Sequence, residues 1–338
     1  MAAQTAPSPA PCQRVYLAPL AGYTDLPFRR ACRAQGCHYA FTALVDAGAM
    51  AYGNPHNETI LRRGTEEPWL GTQLLGADPD LITKAARLLN QRQFEVVDFN
   101  LGCPVKKVTQ RGAGAALGLQ RDQAVRCVEA LVQASVHPVT AKIRVLDDHD
   151  PEPTLALARA LQQCGIRALT IHGRTVDRIY AGAVACRIIA TVRESLSIPV
   201  IANGGIFSRQ DAEALSRHTG CHQVMVARGA IGNPWLFREL LQPEAPPATH
   251  EELCTVLREH VEGMIELYGE RNALRNARKI ILAYLVGRGY PRELRGQVTD
   301  VSTHQEFLGV WREIRQQGPS SHYVADHNPG NRRFVPLP

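Results

Sequence analysis

The 338-residue chain has no uncharged apolar run approaching the roughly 18 residues that cross a bilayer. Its longest candidates, such as Ile280–Gly287, are far too short. A membrane-spanning helix is excluded, and no membrane partner is expected. Cysteines at C-x-x-C spacing are also missing. The nine cysteines are odd in number and scattered, so neither a disulfide framework nor a zinc site is indicated, and no metal is expected. Free thiols point to a reducing cytoplasm. The opening MAAQTAPSPAPC lacks the basic and apolar regions of a secretory signal, so residues 1–12 read as a disordered leader. The 27 Gly and 22 Pro follow no period, and 45% hydrophobic with 21% charged residues excludes collagen-like, coiled-coil and disordered chains. A dinucleotide-binding glycine fingerprint is absent as well.

What is present begins with charge, and its location matters more than its sum. The chain carries 38 basic and 32 acidic residues, a net of +6. Residues 271–295 alone hold seven basic residues (Arg271, Arg275, Arg278, Lys279, Arg288, Arg292, Arg295) against Glu293, again +6. A local excess of this kind is the footprint of a polyanion binder.

Eight short apolar runs recur along the first two thirds: Val15–Leu20, Tyr39–Val45, Trp69–Leu75, Val96–Leu101, Val139–Val145, Ala168–His172, Pro199–Asn203 and Gln223–Ala227. Their starts are 24 to 43 residues apart, and the intervals carry helical patterns such as Pro79–Arg92. Runs without alternation suit strands buried on both faces. Eight such strands with helices between them give a (β/α)8 TIM barrel over 13–243, in preference to an open doubly wound sheet. After the Pro-rich PEAPPATHEE, Thr249 with Glu252 three residues on makes a capping box, and the pattern to 317 is helical only. Leu274, Ala277, Ile280, Ile281, Tyr284 and Leu285 share one arc of a helix, with Arg271, Arg275, Arg278 and Lys279 on the adjacent arc. The class is α/β: a barrel followed by a small C-terminal all-helical domain, 244–317, and an irregular tail, 318–338.

In such a barrel the active site lies at the C-terminal ends of the strands. Those ends carry Pro19, Gln73, Asn100 with Cys103, Lys142, His172, Asn203 with Gly204 and Gly205, and Arg228. Any one polar residue at a strand end is ordinary; their joint occurrence at these seven of eight ends is a constellation. The glycine turns after strands 7 and 8 occupy the usual phosphate position of this fold, and Arg228 adds a cation suited to bidentate binding. A phosphorylated cofactor or substrate is expected. Lys142, one of only five lysines against 33 arginines, lies in the apolar strand VTAKIRV, where an ammonium could stabilise developing negative charge. Cys103 follows strand 4 on a loop with Lys106, Lys107 and Arg111 close by, and reads as a nucleophile or a proton donor. Cys127 and Cys164 read as core.

The segments APLAGYTDLPFRR, DFNLGCPVKKVTQRGAGAAL, TAKIRV, TIHGRT, PVIANGGI, MVARGAIGNPWLF and ARKIILAYLVG resemble, in that order, the tRNA-dihydrouridine synthase family over about residues 15–315. The N-x-GCP-x-x-x-V segment at Cys103 is that family's signature. Leu20 stands where a Met is usual and Gly205 where an Asp is common. The resemblance implies FMN at the barrel mouth, with Pro19, Leu20 and Ala21 beside the isoalloxazine and Gln73 and Lys142 on its pyrimidine edge. It implies His172 near ring and phosphate, and Asn203, Gly204, Gly205, Ala227 and Arg228 around the phosphate. NADPH or NADH would reduce the flavin. A uridine extruded from tRNA would accept hydride at C6, Cys103 would protonate C5 as general acid, and Asn100 would meet the substrate. Lys106, Lys107, Arg111, Arg174 and Arg178 at the rim, with Arg271, Arg275 and Arg278, would grip the tRNA backbone of a monomeric enzyme. Two other readings stay open on the residues alone: a flavin-dependent reductase of a free pyrimidine or small enone, and a non-catalytic RNA-binding protein on the same fold.

Overall fold

The computed structural model describes residues 14–319; the leader expected at 1–12 and nearly all of the tail expected from 318 lie outside them. The strands are β1 (Arg14–Leu17), β2 (Tyr39–Asp46), β3 (Leu70–Leu75), β4 (Val96–Leu101), β5 (Val139–Arg144), β6 (Leu169–His172), β7 (Val200–Asn203) and β8 (Gln223–Val226). Each pairs in parallel with the next, and β8 pairs with β1 to close the barrel. The expected TIM barrel is therefore what forms, and the open sheet is set aside. β1 ends earlier than its apolar run. Ala18 still donates to the Val226 carbonyl at 2.8 Å, but Pro19 has no N–H with which to continue the ladder.

Strand alternation sorts side chains between two cores. In β4, Val97, Phe99 and Leu101 face outward into the main cluster under the helices, whereas Val96 belongs to a separate inner cluster. The bottom of the barrel interior is closed by Tyr16, Tyr39, Phe41 and Trp69, whose ring centroids are 5.0–6.5 Å apart. Toward the C-terminal end the interior turns polar. The register sets Gln73 opposite Asp98 and Asp98 opposite Thr140, then Asn100 opposite Lys142 and His172 opposite Asn203. An apolar plug below a polar layer is what a site at one end of a packed barrel requires.

From His250 on, the described residues form helices only. Thr249 Oγ1 accepts from the Glu252 N–H at 3.2 Å, and Glu252 Oε2 accepts from the Thr249 N–H at 2.9 Å, so the capping box forms as read. Helices His250–Tyr268, Glu270–Leu285, Arg292–Gln297 and His304–Gln317 enclose their own core. The arc expected to be apolar on the second of these is buried throughout. This region is seated on the barrel by apolar contacts, with Trp235 inside its core and Phe28 stacked on His260, and by polar ones. Tyr268 donates to Asp25 Oδ2 at 3.0 Å. The Arg288 guanidinium is fully buried and donates to the Gly232 carbonyl and to Asn233 Oδ1.

Candidate active site

A cavity of about 360 Å³ opens at the C-terminal end of the barrel, within the range of small-molecule and cofactor sites. The loop after β1 contributes Pro19, Leu20 and Ala21; Gln73, Asn100, Cys103, Lys142 and His172 come from β3 to β6. Asn203, Gly204, Gly205, Ala227 and Arg228 close the far side. Residues up to some 200 positions apart in sequence thus face one space, because all sit at strand ends.

One wall is a row of hydrogen bonds. Thr140 Oγ1 donates to Asp98 Oδ1 at 2.6 Å, and Gln73 Nε2 donates to Asp98 Oδ2 at 2.7 Å. Asn100 Nδ2 donates to Gln73 Oε1 at 2.7 Å, and Asn100 Oδ1 accepts from the Cys103 N–H at 2.9 Å. Burial pushes the Asp98 carboxyl up to about 6, against the pull of Gln73, Thr140 and Lys142. The loop that presents Cys103 is closed by Gly114. Its φ is +60°, and a Cβ there would stand 2.8 Å from the Cys103 carbonyl oxygen.

Across the cavity, Lys142 Nζ donates to Asn203 Oδ1 at 3.0 Å. Burial, and then the neighbouring Arg144, lower the Lys142 ammonium to about 8. His172 is pushed well below the ordinary histidine value by burial and then by Lys142, Arg144 and Arg174, so its imidazole is neutral at pH 7. The positive charges of Lys142, Arg144 and Arg174 all act on it, which makes this end of the cavity receptive to an anion.

The turn after β7 is built for close approach. Gly204 has φ +130° and Gly205 +74°, conformations that L side chains rarely adopt. Behind Gly204, the Arg174 Nη1 atom is buried with no hydrogen-bond partner, 3.5 Å from where a Gly204 Cβ would be. The Arg228 guanidinium lies 4.1 Å from the Tyr180 ring centroid and 5.5 Å from that of Phe207, a cation–π arrangement. Tyr180 is held in place by its neighbour. Ile179 adopts φ +50°, unusual for a β-branched residue, and its carbonyl accepts from Arg144 Nη1 at 2.9 Å.

The cations expected at the rim divide. Lys106 and Lys107 are exposed on the short helix Lys106–Thr109. Arg111 is exposed and paired with Asp46 at 3.0 Å, and Arg178 is exposed and paired with Asp148 at 3.1 Å. Arg174 is not at the rim: it is 4% exposed, and its Nε donates to the Gly182 carbonyl. Its expected contact with a tRNA backbone is corrected on that ground, because the loop after β6 folds over it. On the helix Glu270–Leu285, Arg271 and Arg275 are exposed. Arg278 is half-buried and donates to the Val301 carbonyl at 2.8 Å, which ties it to its own domain. Lys279 donates to the Gly22 carbonyl at 2.8 Å and lies 4.1 Å from the Tyr23 ring centroid. With Arg288 buried, the basic window offers a smaller free face than its formal +6 suggests.

Sequence reasoning passed over Asp98, Thr140, Arg144, Tyr180 and Phe207. Asp98 carried a usable signal. It stands two residues before Asn100 in the apolar run VVDFNL, so strand alternation puts both on the inner face. Tyr180 and Phe207 carried none, being aromatic residues in loops.

The family model described as Dihydrouridine synthase (Dus) matches residues 16–317. The chain is 37% identical over 280 residues to a protein named tRNA-dihydrouridine synthase B from Pasteurella multocida, covering 81% of this chain and 84% of that one. It is 35% identical over 305 residues to the protein of the same name from Xanthomonas campestris pv. campestris, covering 89% and 92%. Among solved structures, 2-naphthoyl-CoA reductase superposes with a TM-score of 0.54 at 9% identity, covering 68% of this chain and 50% of that one. Histamine dehydrogenase from Rhizobium sp. 4-9 gives 0.51 at 13%, covering 79% and 49%. At such identities these two speak for the barrel alone. The sequence matches, which run through both the barrel and the helical region, carry more: the chain belongs to the dihydrouridine synthase family.

Proposed function

We propose that this protein reduces the C5–C6 double bond of uridine in tRNA to dihydrouridine, using FMN at the barrel mouth and NADPH or NADH as the source of electrons. The observation that carries the reading is the meeting of Cys103, Lys142, His172 and the Gly204–Gly205 turn around one cavity, in a chain whose relatives bear that activity in their names.

The residues present suit FMN. A phosphate carries two negative charges, and the cavity end bounded by Gly204, Gly205 and Arg228 is backed by a buried guanidinium with an unused donor. Glycine at 204 and 205 leaves backbone N–H groups approachable. Gln73 retains one N–H and one lone pair beyond those used on Asp98 and Asn100, enough to pair with a pyrimidine edge. Lys142 Nζ would lie against the same edge, and Pro19, Leu20 and Ala21 would flank the ring. When bound, the flavin supplies hydride to uracil C6.

The chain's own task is the proton and the positioning. Cys103 would deliver its thiol proton to C5, so that hydride and proton together saturate the bond. Asn100, with one N–H left unused, would meet the uracil. Lys106, Lys107, Arg111 and Arg178 around the mouth, together with Arg271 and Arg275, would hold the RNA backbone. A small free pyrimidine would have no use for a basic face on a separate helical region.

The test is Cys103→Ala. Flavin binding and its reduction by NADPH should persist, while oxidation by tRNA slows by about 10²–10⁴-fold, the usual worth of a positioned general acid. Cys103→Ser should recover little. Near wild-type turnover of tRNA by both variants would refute the assignment.

A further inference from the structure

The proposed reaction gives no task to Asp98, yet the hydrogen bonds around it have a fixed direction. The N–H groups of Gly102 and Cys103 both point at one atom of Asn100, at 3.1 and 2.9 Å. Backbone N–H groups can only donate, so that atom is the oxygen. Asn100 Nδ2 is thereby turned toward Gln73, where only Oε1 can accept. Gln73 Nε2 is then left facing Asp98. Amide orientation is normally ambiguous; here the backbone decides it, twice over. From the Cys103 N–H through Asn100 and Gln73 every donor runs the same way, so this stretch has to end on an acceptor.

Asp98 is that acceptor. It is buried at 2% exposure, and its other oxygen is held by the buried Thr140. We infer that Asp98 is a positioning residue which, through Gln73 and Asn100, fixes the Cys103 backbone and hence the place of its thiol. The importance of that thiol rests on the proposed function; the row itself does not.

The direction of the row makes the inference testable with isosteric changes. In Asp98→Asn, the Thr140 hydroxyl can rotate to accept from the new amide, leaving the oxygen for Gln73, so the row survives. Asp98→Ala leaves Gln73 Nε2 with no acceptor. Asn100→Asp keeps the oxygen for the Cys103 N–H but puts carboxylates at both ends of Gln73, which cannot satisfy both from one side. Adding Asp98→Asn to it lets Gln73 turn over and reverse its two bonds: Gln73 donates to the carboxylate at 100 and accepts from the amide at 98, while the Cys103 N–H and Thr140 donate as before.

The experiment measures alkylation of Cys103 by iodoacetamide, located by peptide mass spectrometry in the FMN-loaded protein, alongside melting temperature. Asp98→Ala should change the labelling rate about fivefold or more, as expected for loss of a buried hydrogen-bond acceptor, and Asp98→Asn should stay within about twofold. Asn100→Asp should melt lower, and Asp98→Asn should restore most of that loss in the double variant. Unchanged labelling in Asp98→Ala, equal damage from Asp98→Asn, or no recovery in the double variant would each overturn the inference. Should Asp98→Ala fail to fold, the Asn100→Asp pair carries the decision alone. No uridine takes part in either readout, so failure here leaves the Cys103→Ala test of the reaction standing on its own.

Discussion

Gly204→Ala probes the phosphate end of the cavity with a single methyl group. At φ +130° an L residue is strained, and holding it there costs about 1–3 kcal/mol. The methyl itself meets only ordinary contacts, 3.5 Å to Arg174 Nη1 and 3.6 Å to the His172 ring, so the penalty is conformational and not a clash. A turn that relieves this strain by rotating would carry its N–H groups out of the arrangement proposed to hold the phosphate. With about 2.1 cal/mol/K of unfolding entropy per residue, 1 kcal/mol lowers Tm by roughly 1.4 °C in a chain of 338 residues, so a drop of about 1–4 °C is expected. Each charge-assisted hydrogen bond lost to the phosphate is worth about 1.5–3 kcal/mol, which weakens FMN binding about 10- to 100-fold. Gly269→Ala is the control. It has φ +74° with nothing within 4 Å of its Cβ position, and it joins two helices away from the cavity. It pays backbone strain and should leave FMN affinity unchanged. Flavin fluorescence titration and thermal melting of both variants give the comparison. Equal FMN affinity in the two would refute a phosphate site at this turn.

Lys142 predicts a pH effect. Its folded value, about 8, lies below the ordinary 10.5, so between them the unfolded chain binds more protons and stability rises with pH. Wild type should gain on the order of 2 kcal/mol between about pH 7.5 and 9.5 relative to Lys142→Met, read from urea midpoints; parallel curves for the two would contradict it. Arg271→Glu with Arg275→Glu should raise the KM for tRNA and flatten its logarithmic salt dependence by about one unit per lost phosphate contact. NADPH oxidation should be untouched. Arg278→Glu should differ from that pair by lowering Tm, because its guanidinium holds the Val301 carbonyl inside the helical region.

The barrel was legible because its signal is repetitive: eight apolar runs at regular intervals survive an error of two or three residues at any boundary. The cavity was legible for a related reason, since the barrel converts "last polar residue of a strand" into "faces the mouth" without further information. What the sequence left unread depends on where a loop goes after it leaves a strand. Arg174 directly follows His172-Gly173, in the same position relative to its strand as residues that do face solvent. It is buried because the segment from Val176 to Gly182 returns across it, its Nε meeting the Gly182 carbonyl, and no periodicity encodes that return. Arg288 was misread for the opposite reason: charge was counted along the chain, whereas the Gly232 carbonyl that binds it is 56 residues away. Asp98 is the instructive case, because alternation with Asn100 already placed it inside the barrel. A carboxylate in that position has to be satisfied by neighbours on adjacent strands, and the register supplies them as Gln73 and Thr140. Pairing inward polar residues across adjacent strands would have found the row from the sequence once the barrel was assumed. The direction of its hydrogen bonds needed more, namely the two backbone N–H groups at Gly102 and Cys103.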